Sequence, residues 1–161
     1  MTTTNVMRLL SAEGIEYKAF SYDSSITDGV KVAEALEENP DMVFKTLVTE
    51  ADGGVGTGGH KAPHFVFVVP VNSTLDLKKA AKAAGVKSIQ MIKQKELLPL
   101  TGYIHGGCSP IGMKKPFPTF IEESASLYDS IYVSAGMVGH QICINPETLR
   151  SFVGAQFADL V

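Results

Sequence analysis

Lys45 sits in the middle of Val43-Phe-Lys-Thr-Leu-Val48, an apolar run with the alternation of a β-strand. Period two puts Lys45 on one face with Val43 and Leu47, and Thr46 on the other with Phe44 and Val48. An ammonium among apolar neighbours costs on the order of several kcal/mol unless it is paired or reaches water. Two readings follow from the residues alone. Either Lys45 snorkels to solvent, or it serves an anionic ligand or a charge that develops during a reaction.

A second candidate is the turn Gly106-Gly-Cys-Ser-Pro110, whose Cys108 stands three residues after His105. Glycine lets a ligand approach main-chain N–H groups closely. A thiol in such a turn is either an activated nucleophile with His105 as its base, or a small residue tolerated in a tight turn. Nothing in the sequence orients His105, so the second reading is the simpler. Tyr22 closes a strand and reads as a packing residue with a wet hydroxyl. Ser134 and Gln141 flank the turn Ala135–His140 and can simply satisfy its backbone.

Other patterns point to less. Gly54-Val-Gly-Thr-Gly-Gly59 matches G-x-G-x-x-G, but Pro63 and an apolar strand follow where a dinucleotide site needs a helix N-terminus. His60 and His64 have the spacing of a helical metal pair, yet Pro63 lies between them. Cys108 and Cys143 form no metal-binding motif and no disulfide framework. No metal or other cofactor is expected.

The elements that must position these residues can be read in order. Asn5–Glu13 is a helix by its Val6, Leu9 and Leu10 spacing, and Ile15–Phe20 a strand. Asp28 caps a helix that ends near Asn39-Pro-Asp41. Val43–Thr49 and Phe65–Val69 are strands around the Gly-rich stretch 51–63. Leu75–Ala84 is the clearest helix, with Gly85 at its C-terminal cap. Ser88–Ile92 is a short strand, Lys95–Leu98 a helical turn ended by Pro99, and 101–115 a loop. Thr119–Ile121, Ile131–Ser134 and Gln141–Ile144 are strands whose closeness favours antiparallel pairing, and Asn145-Pro146 opens a last helix. Strands and helices mix without a βαβ beat. The expected class is α+β, with a mixed, curled, barrel-like sheet and helices around it.

Length and charge narrow the function. A chain of 161 residues fits one domain, residues 1–161. Apolar residues at 45% and charged residues at 19% exclude a disordered chain. The net charge of −3 excludes a protein basic overall, but residues 77–115 hold eight lysines against the single Glu96. That segment carries +7 and the remainder −10, which suits a partner with a localised phosphate cluster as well as it suits a solvated helix face. The longest apolar run, Phe65–Val69, is far too short to span a membrane. The opening Met1-Thr-Thr-Thr-Asn has neither region of a secretory leader. With two free cysteines, a cytoplasmic location and no membrane partner are expected.

Taken together, Tyr22, Val43–Val48, Leu75-Asp-Leu-Lys-Lys79, Thr101–Gly112, Pro118-Thr119, Ile131–Ser134 and Phe157-Ala-Asp159 stand in an order that resembles one family. It is the YbaK/EbsC family of aminoacyl-tRNA deacylases, related to the editing domain inserted in bacterial prolyl-tRNA synthetases. The resemblance covers nearly the whole chain. It implies an ester hydrolase that acts in trans on mischarged tRNA, with Cys-tRNA(Pro) as substrate, and a barrel-like mixed sheet as fold. It places the essential lysine at Lys45, the G-x-x-x-P loop at Gly106, Gly107, Cys108, Ser109 and Pro110, and pocket residues at Tyr22, Thr46 and Ser134. In that scheme the substrate's own thiol attacks and Cys108 is a bystander. The partners implied are the tRNA acceptor end and, as a second candidate, prolyl-tRNA synthetase.

Two departures stand out. Gln141 occupies a position where the YbaK pattern has Asp, and a neutral amide can accept from a substrate amine but supplies no counter-charge. The stretch 51–63 is longer than the usual hairpin. The first departure keeps a second class open, a non-catalytic module that binds aminoacyl-tRNA or a synthetase. A third reading is a thiol hydrolase built on Cys108 and His105.

Overall fold

Two apolar strands at the centre of the chain organise everything else. The computed structural model describes residues 2–51 and 63–161, so the G-x-G-x-x-G match and His60 lie outside the described residues. Strands β1 (Lys18–Ser21), β2 (Phe44–Ala51), β3 (His64–Pro70) and β4 (Ile89–Met91) precede β5 (Thr119–Glu122), β6 (Ile131–Ser134), β7 (His140–Ile144) and β8 (Gln156–Ala158). Helices α1 (Asn5–Ala12), α2 (Gly29–Ala35), α3 (Leu77–Ala84), α4 (Leu97–Thr101) and α5 (Pro146–Val153) fill the intervals.

β2 and β3 pair antiparallel, with Lys45 opposite Val69 and Thr46 opposite Val68. They sit inside a five-stranded sheet of order β4-β2-β3-β5-β8. β3 is buried from Phe65 to Pro70, as expected of a strand covered on both faces. Its Val66 and Val68 pack with Phe44, Val48, Leu10 and Leu149 on one side. Its Phe65, Phe67 and Val69 pack on the other with Ala80, Ala81 and Leu160. The alanines of α3 leave room for the helix to lie close to the sheet.

A three-stranded antiparallel sheet, β1-β7-β6, lies beside this one. The two adjoin at the start of β2, where Val43 bridges Tyr132 in parallel register and its carbonyl accepts from the Val71 N–H at 2.8 Å. The result is a mixed α+β architecture, and no pairing among the described residues closes it into a barrel.

The structure corrects several sequence expectations. β6 and β7 pair antiparallel as expected, but β5 lies parallel between β3 and β8. The long path from 71 to 118, through α3, β4 and α4, supplies the crossover a parallel pair requires. Pro99 does not end a helical turn. It lies in the first turn of α4, where N–H groups have no intrahelical acceptor, and Gly102 is the stop. β1 starts at Lys18 rather than Ile15 because Ile15 and Tyr17 turn onto the core. β8, three residues at a sheet edge, carries no sequence signal of its own.

Candidate active site

The junction of the two sheets leaves a cavity of about 340 Å³. Three parts of the fold bring the residues singled out from the sequence to it. β2 contributes Lys45 and Thr46, the small sheet contributes Tyr22, Ser134 and Gln141, and the loop after α4 contributes Gly106 and Cys108. Local hydrogen bonds fix each wall. The Tyr22 N–H donates to the Gly139 carbonyl at 2.9 Å, which ties the end of β1 to the β6–β7 turn. The Ser134 Oγ accepts from the Gly136 N–H at 3.1 Å and holds that turn closed. Ser134 and Gln141 are direct cross-strand partners.

Eight of the candidate residues singled out from the sequence, His105 among them, thus line one cavity, while Gly107, Ser109 and Pro110 do not. Gly107 packs on the β6–β7 turn and its N–H is engaged by the Ile104 carbonyl at 3.0 Å. Ser109 is fully buried, its Oγ accepting from the Ile111 N–H at 3.2 Å. Pro110 lines a separate cavity with Leu9 and Phe117. The N–H groups of Cys108 and Ser109 have no acceptor among the described residues.

The electrostatics favour ligand binding at this place. The Lys45 ammonium makes no ion pair or hydrogen bond among the described residues. Burial holds its ammonium below the ordinary value of 10.5, and the Asp28 carboxylate pulls the other way. Thr46 Oγ1 and Gln141 Oε1 are buried without a hydrogen-bond partner. Each such atom costs about 1–3 kcal/mol until something satisfies it. An orphaned hydroxyl, an orphaned amide oxygen and an unpaired amine on residues lining one void describe a site built for a polar molecule.

Cys108 has a different character. It is buried, burial pushes its thiol up to about 12, and it makes no hydrogen bond to His105. A thiol so placed stays protonated at neutral pH and is a poor nucleophile.

Sequence reasoning missed Asp28, Thr27, Val32, Val71 and Leu97, which also line the cavity. Asp28 was legible only as the cap of α2, a role it does fill by accepting from the Lys31 N–H at 3.2 Å. Away from the cavity, Glu50, His64 and Glu96 bring one possible ligand atom each to within 4.8 Å of one another.

Comparison with known proteins decides the family. Residues 24–152 match the model of the aminoacyl-tRNA editing domain. The chain belongs to the aminoacyl-tRNA editing domain family. Among curated relatives of this editing domain, a protein of Enterococcus faecalis provisionally named Cys-tRNA(Pro)/Cys-tRNA(Cys) deacylase EbsC is 44% identical over 159 residues. That match covers 98% of this chain and 92% of the relative. A proline–tRNA ligase of Shouchella clausii is 25% identical over 138 residues, 85% of this chain and 22% of the ligase. The editing domain thus corresponds to a fraction of that larger enzyme. Among solved structures, one described provisionally as a trans-editing enzyme for prolyl tRNA synthetase superposes with a TM-score of 0.80. The match covers 99% of this chain and 98% of that one at 24% identity, and it speaks for the shared fold.

Proposed function

We propose that this editing domain hydrolyses the aminoacyl ester of mischarged tRNA in trans, with Cys-tRNA(Pro) as its leading substrate. The observation that carries the reading is the meeting of Lys45 with the unsatisfied Thr46 and Gln141 and the Cys108 segment in one cavity. The 44% identity to a protein named as a Cys-tRNA deacylase supports the choice of substrate.

An aminoacyl ester has a fair leaving group in the ribose hydroxyl, so catalysis needs positioning and charge stabilisation more than a protein nucleophile. Lys45 and the free N–H group of Cys108 stabilise the oxyanion that forms when the ester carbonyl is attacked. The substrate thiol attacks its own ester carbonyl, the ester C–O bond breaks, and the ribose oxygen leaves with the proton the thiol gives up. Water then opens the resulting thiolactone at its C–S bond and releases free cysteine with its thiol restored. Lysines of segment 77–115 hold the phosphates of the acceptor arm, and prolyl-tRNA synthetase is a second partner. Residues 1–161 act as one domain in the cytoplasm. Among the described residues no helix is long and apolar enough to cross a membrane.

Release of cysteine from Cys-tRNA(Pro), compared between the wild type and Lys45→Ala, is the test. Loss of one charge-stabilising group predicts a fall of roughly a hundredfold or more. Equal rates would remove Lys45 from the mechanism. The neutral Gln141 favours a second reading, a module that binds aminoacyl-tRNA without turnover. Tight binding of Cys-tRNA(Pro) with no release of cysteine from any mischarged tRNA would select it.

A further inference from the structure

Three side chains with metal-binding chemistry meet outside the cavity. Glu50 on β2 and His64 on β3 are direct cross-strand partners, and Glu96 arrives from the helical turn Gln94–Glu96 just before α4. Each offers one ligand atom, and the three atoms lie within 4.8 Å of one another. All three residues are half-buried, so the ligands are held in place and still reachable. The set differs from a solvated acidic patch in holding an imidazole, whose ring packs on Phe117 with centroids 5.5 Å apart. His64 thus meets its ligand partners across the sheet rather than along a helix.

The electron pairs that would bind a metal are free. Glu50 Oε1 accepts from Gln90 Nε2 at 3.1 Å, whereas Oε2 lies 3.8 Å from His64 Nε2, too far for a hydrogen bond. Neither the His64 ring nor the Glu96 carboxylate makes a hydrogen bond among the described residues. Two carboxylates held this close repel each other, and a cation between them removes that cost. Two ligands of one zinc ion lie at most about 4.2 Å apart, twice a bond of about 2.1 Å. The 3.8 Å pair already meets that limit, and a small carboxylate rotation closes the rest.

We infer that Glu50, His64 and Glu96 bind one divalent transition-metal ion of the zinc class, with water completing its coordination. Imidazole favours zinc over magnesium, and the two carboxylates balance the charge of the ion. The ion joins β2 and β3 to the chain just before α4, and the first residue of that helix, Leu97, lines the cavity that holds Lys45. It acts as a staple on that wall.

The test uses the full chain, freed of metal with EDTA and titrated with zinc chloride by calorimetry. One equivalent should bind with a micromolar Kd. Zinc at about a hundred times that Kd should raise Tm by about 5–10 °C. Magnesium chloride should bind at least about a hundredfold more weakly. Outer partners of a metal site are worth about 10–100-fold, so Glu96→Gln or His64→Gln, which remove a ligand itself, should each weaken zinc by about a hundredfold or more. Melting of the metal-free variants checks their fold, and Glu96→Gln carries the test if His64→Gln does not fold. Cobalt(II) in the site should give visible bands without the near-ultraviolet band of a thiolate, which separates it from a site at Cys143. No zinc binding, zinc binding unchanged by Glu96→Gln, magnesium bound as tightly as zinc, or a thiolate band would overturn the site.

Discussion

Gly107 lies so close to Val138 that a Cβ on Gly107 would fall 2.9 Å from the Val138 backbone nitrogen. This contact clamps the loop after α4 onto the β6–β7 turn. Next to it Gly106, at φ +87°, nestles against Thr27, and Cys108 reaches the cavity. The glycines of the loop thus let two backbones and the end of the 23–28 segment converge around one void.

The clamp makes Gly107→Ala informative. The opposing atom is backbone, so the added methyl must force the loop and the turn apart. Overpacking of this kind costs about 1–3 kcal/mol. In a chain of this size each kcal/mol lowers Tm by about 2–4 °C. The expected variant melts several degrees lower and deacylates more slowly, since the cavity wall has moved. Wild-type melting together with wild-type turnover would show that the contact constrains nothing.

How much of this was legible beforehand depended on whether a residue's role was local. The Asp28 cap of α2, the Gly85 stop of α3, the Asn145-Pro146 start of α5 and the apolar strands were readable, because the signal and its backbone partner are a few residues apart. Lys45 announced itself by breaking an apolar alternation. Asp28 did not, because a helix cap already accounted for it, and only the tertiary fold brings it to the cavity with Lys45. Gly107 and Pro110 shared one motif with Cys108, yet a loop that twists at Gly106 sends its residues to different surroundings. The parallel placement of β5 was hidden for the same reason. Strand order depends on a crossover from 71 to 118, not on the pattern within Thr119–Glu122.

Lys45 should trade stability for activity. Its folded-state value is below the ordinary 10.5, chiefly through burial. The unfolded chain therefore holds more protons than the folded one between that lowered value and 10.5, and stability rises with pH across the window. Below the window the burial penalty is present in full. Lys45→Met keeps the aliphatic stem and removes the charge. Its Tm is expected to exceed the wild type's at pH 7, with the gap closing as the pH approaches 10.5, while deacylation is lost. A Met variant less stable than the wild type at pH 7 would mean that the ammonium is favourably paired in the folded protein.

The two cysteines should differ in reactivity. Cys108 is buried with a thiol near 12, whereas Cys143 is half-buried on β7. Iodoacetamide at pH 8 should label Cys143 well before Cys108, and mass spectrometry of the digested protein reads the order. Cys108→Ala should retain deacylation to within a few-fold and melt somewhat lower, because a small buried side chain has been trimmed. Loss of turnover with an unchanged Tm would reinstate Cys108 as the nucleophile.

The basic segment predicts a salt signature, because the structure divides its lysines. Lys79 is committed, pairing with Asp159 at 3.0 Å and donating to the Val161 carbonyl. Lys78, Lys82 and Lys87 are exposed and line one groove of about 320 Å³ with Leu77, Val86 and Ser88. Lys78 and Lys82 stand one helical turn apart, a spacing suited to successive phosphates. Each phosphate neutralised releases counterions, so the logarithm of tRNA affinity falls with the logarithm of salt concentration by about 0.7–0.9 per contact. Replacing all three lysines with glutamine should raise KM for Cys-tRNA(Pro), flatten the salt slope by about two to three, and leave kcat unchanged. A small cysteinyl-adenosine ester, which has no acceptor arm, should be hydrolysed by the triple variant as by the wild type. If the slope stays as it was, the acceptor arm lies on another face of the protein.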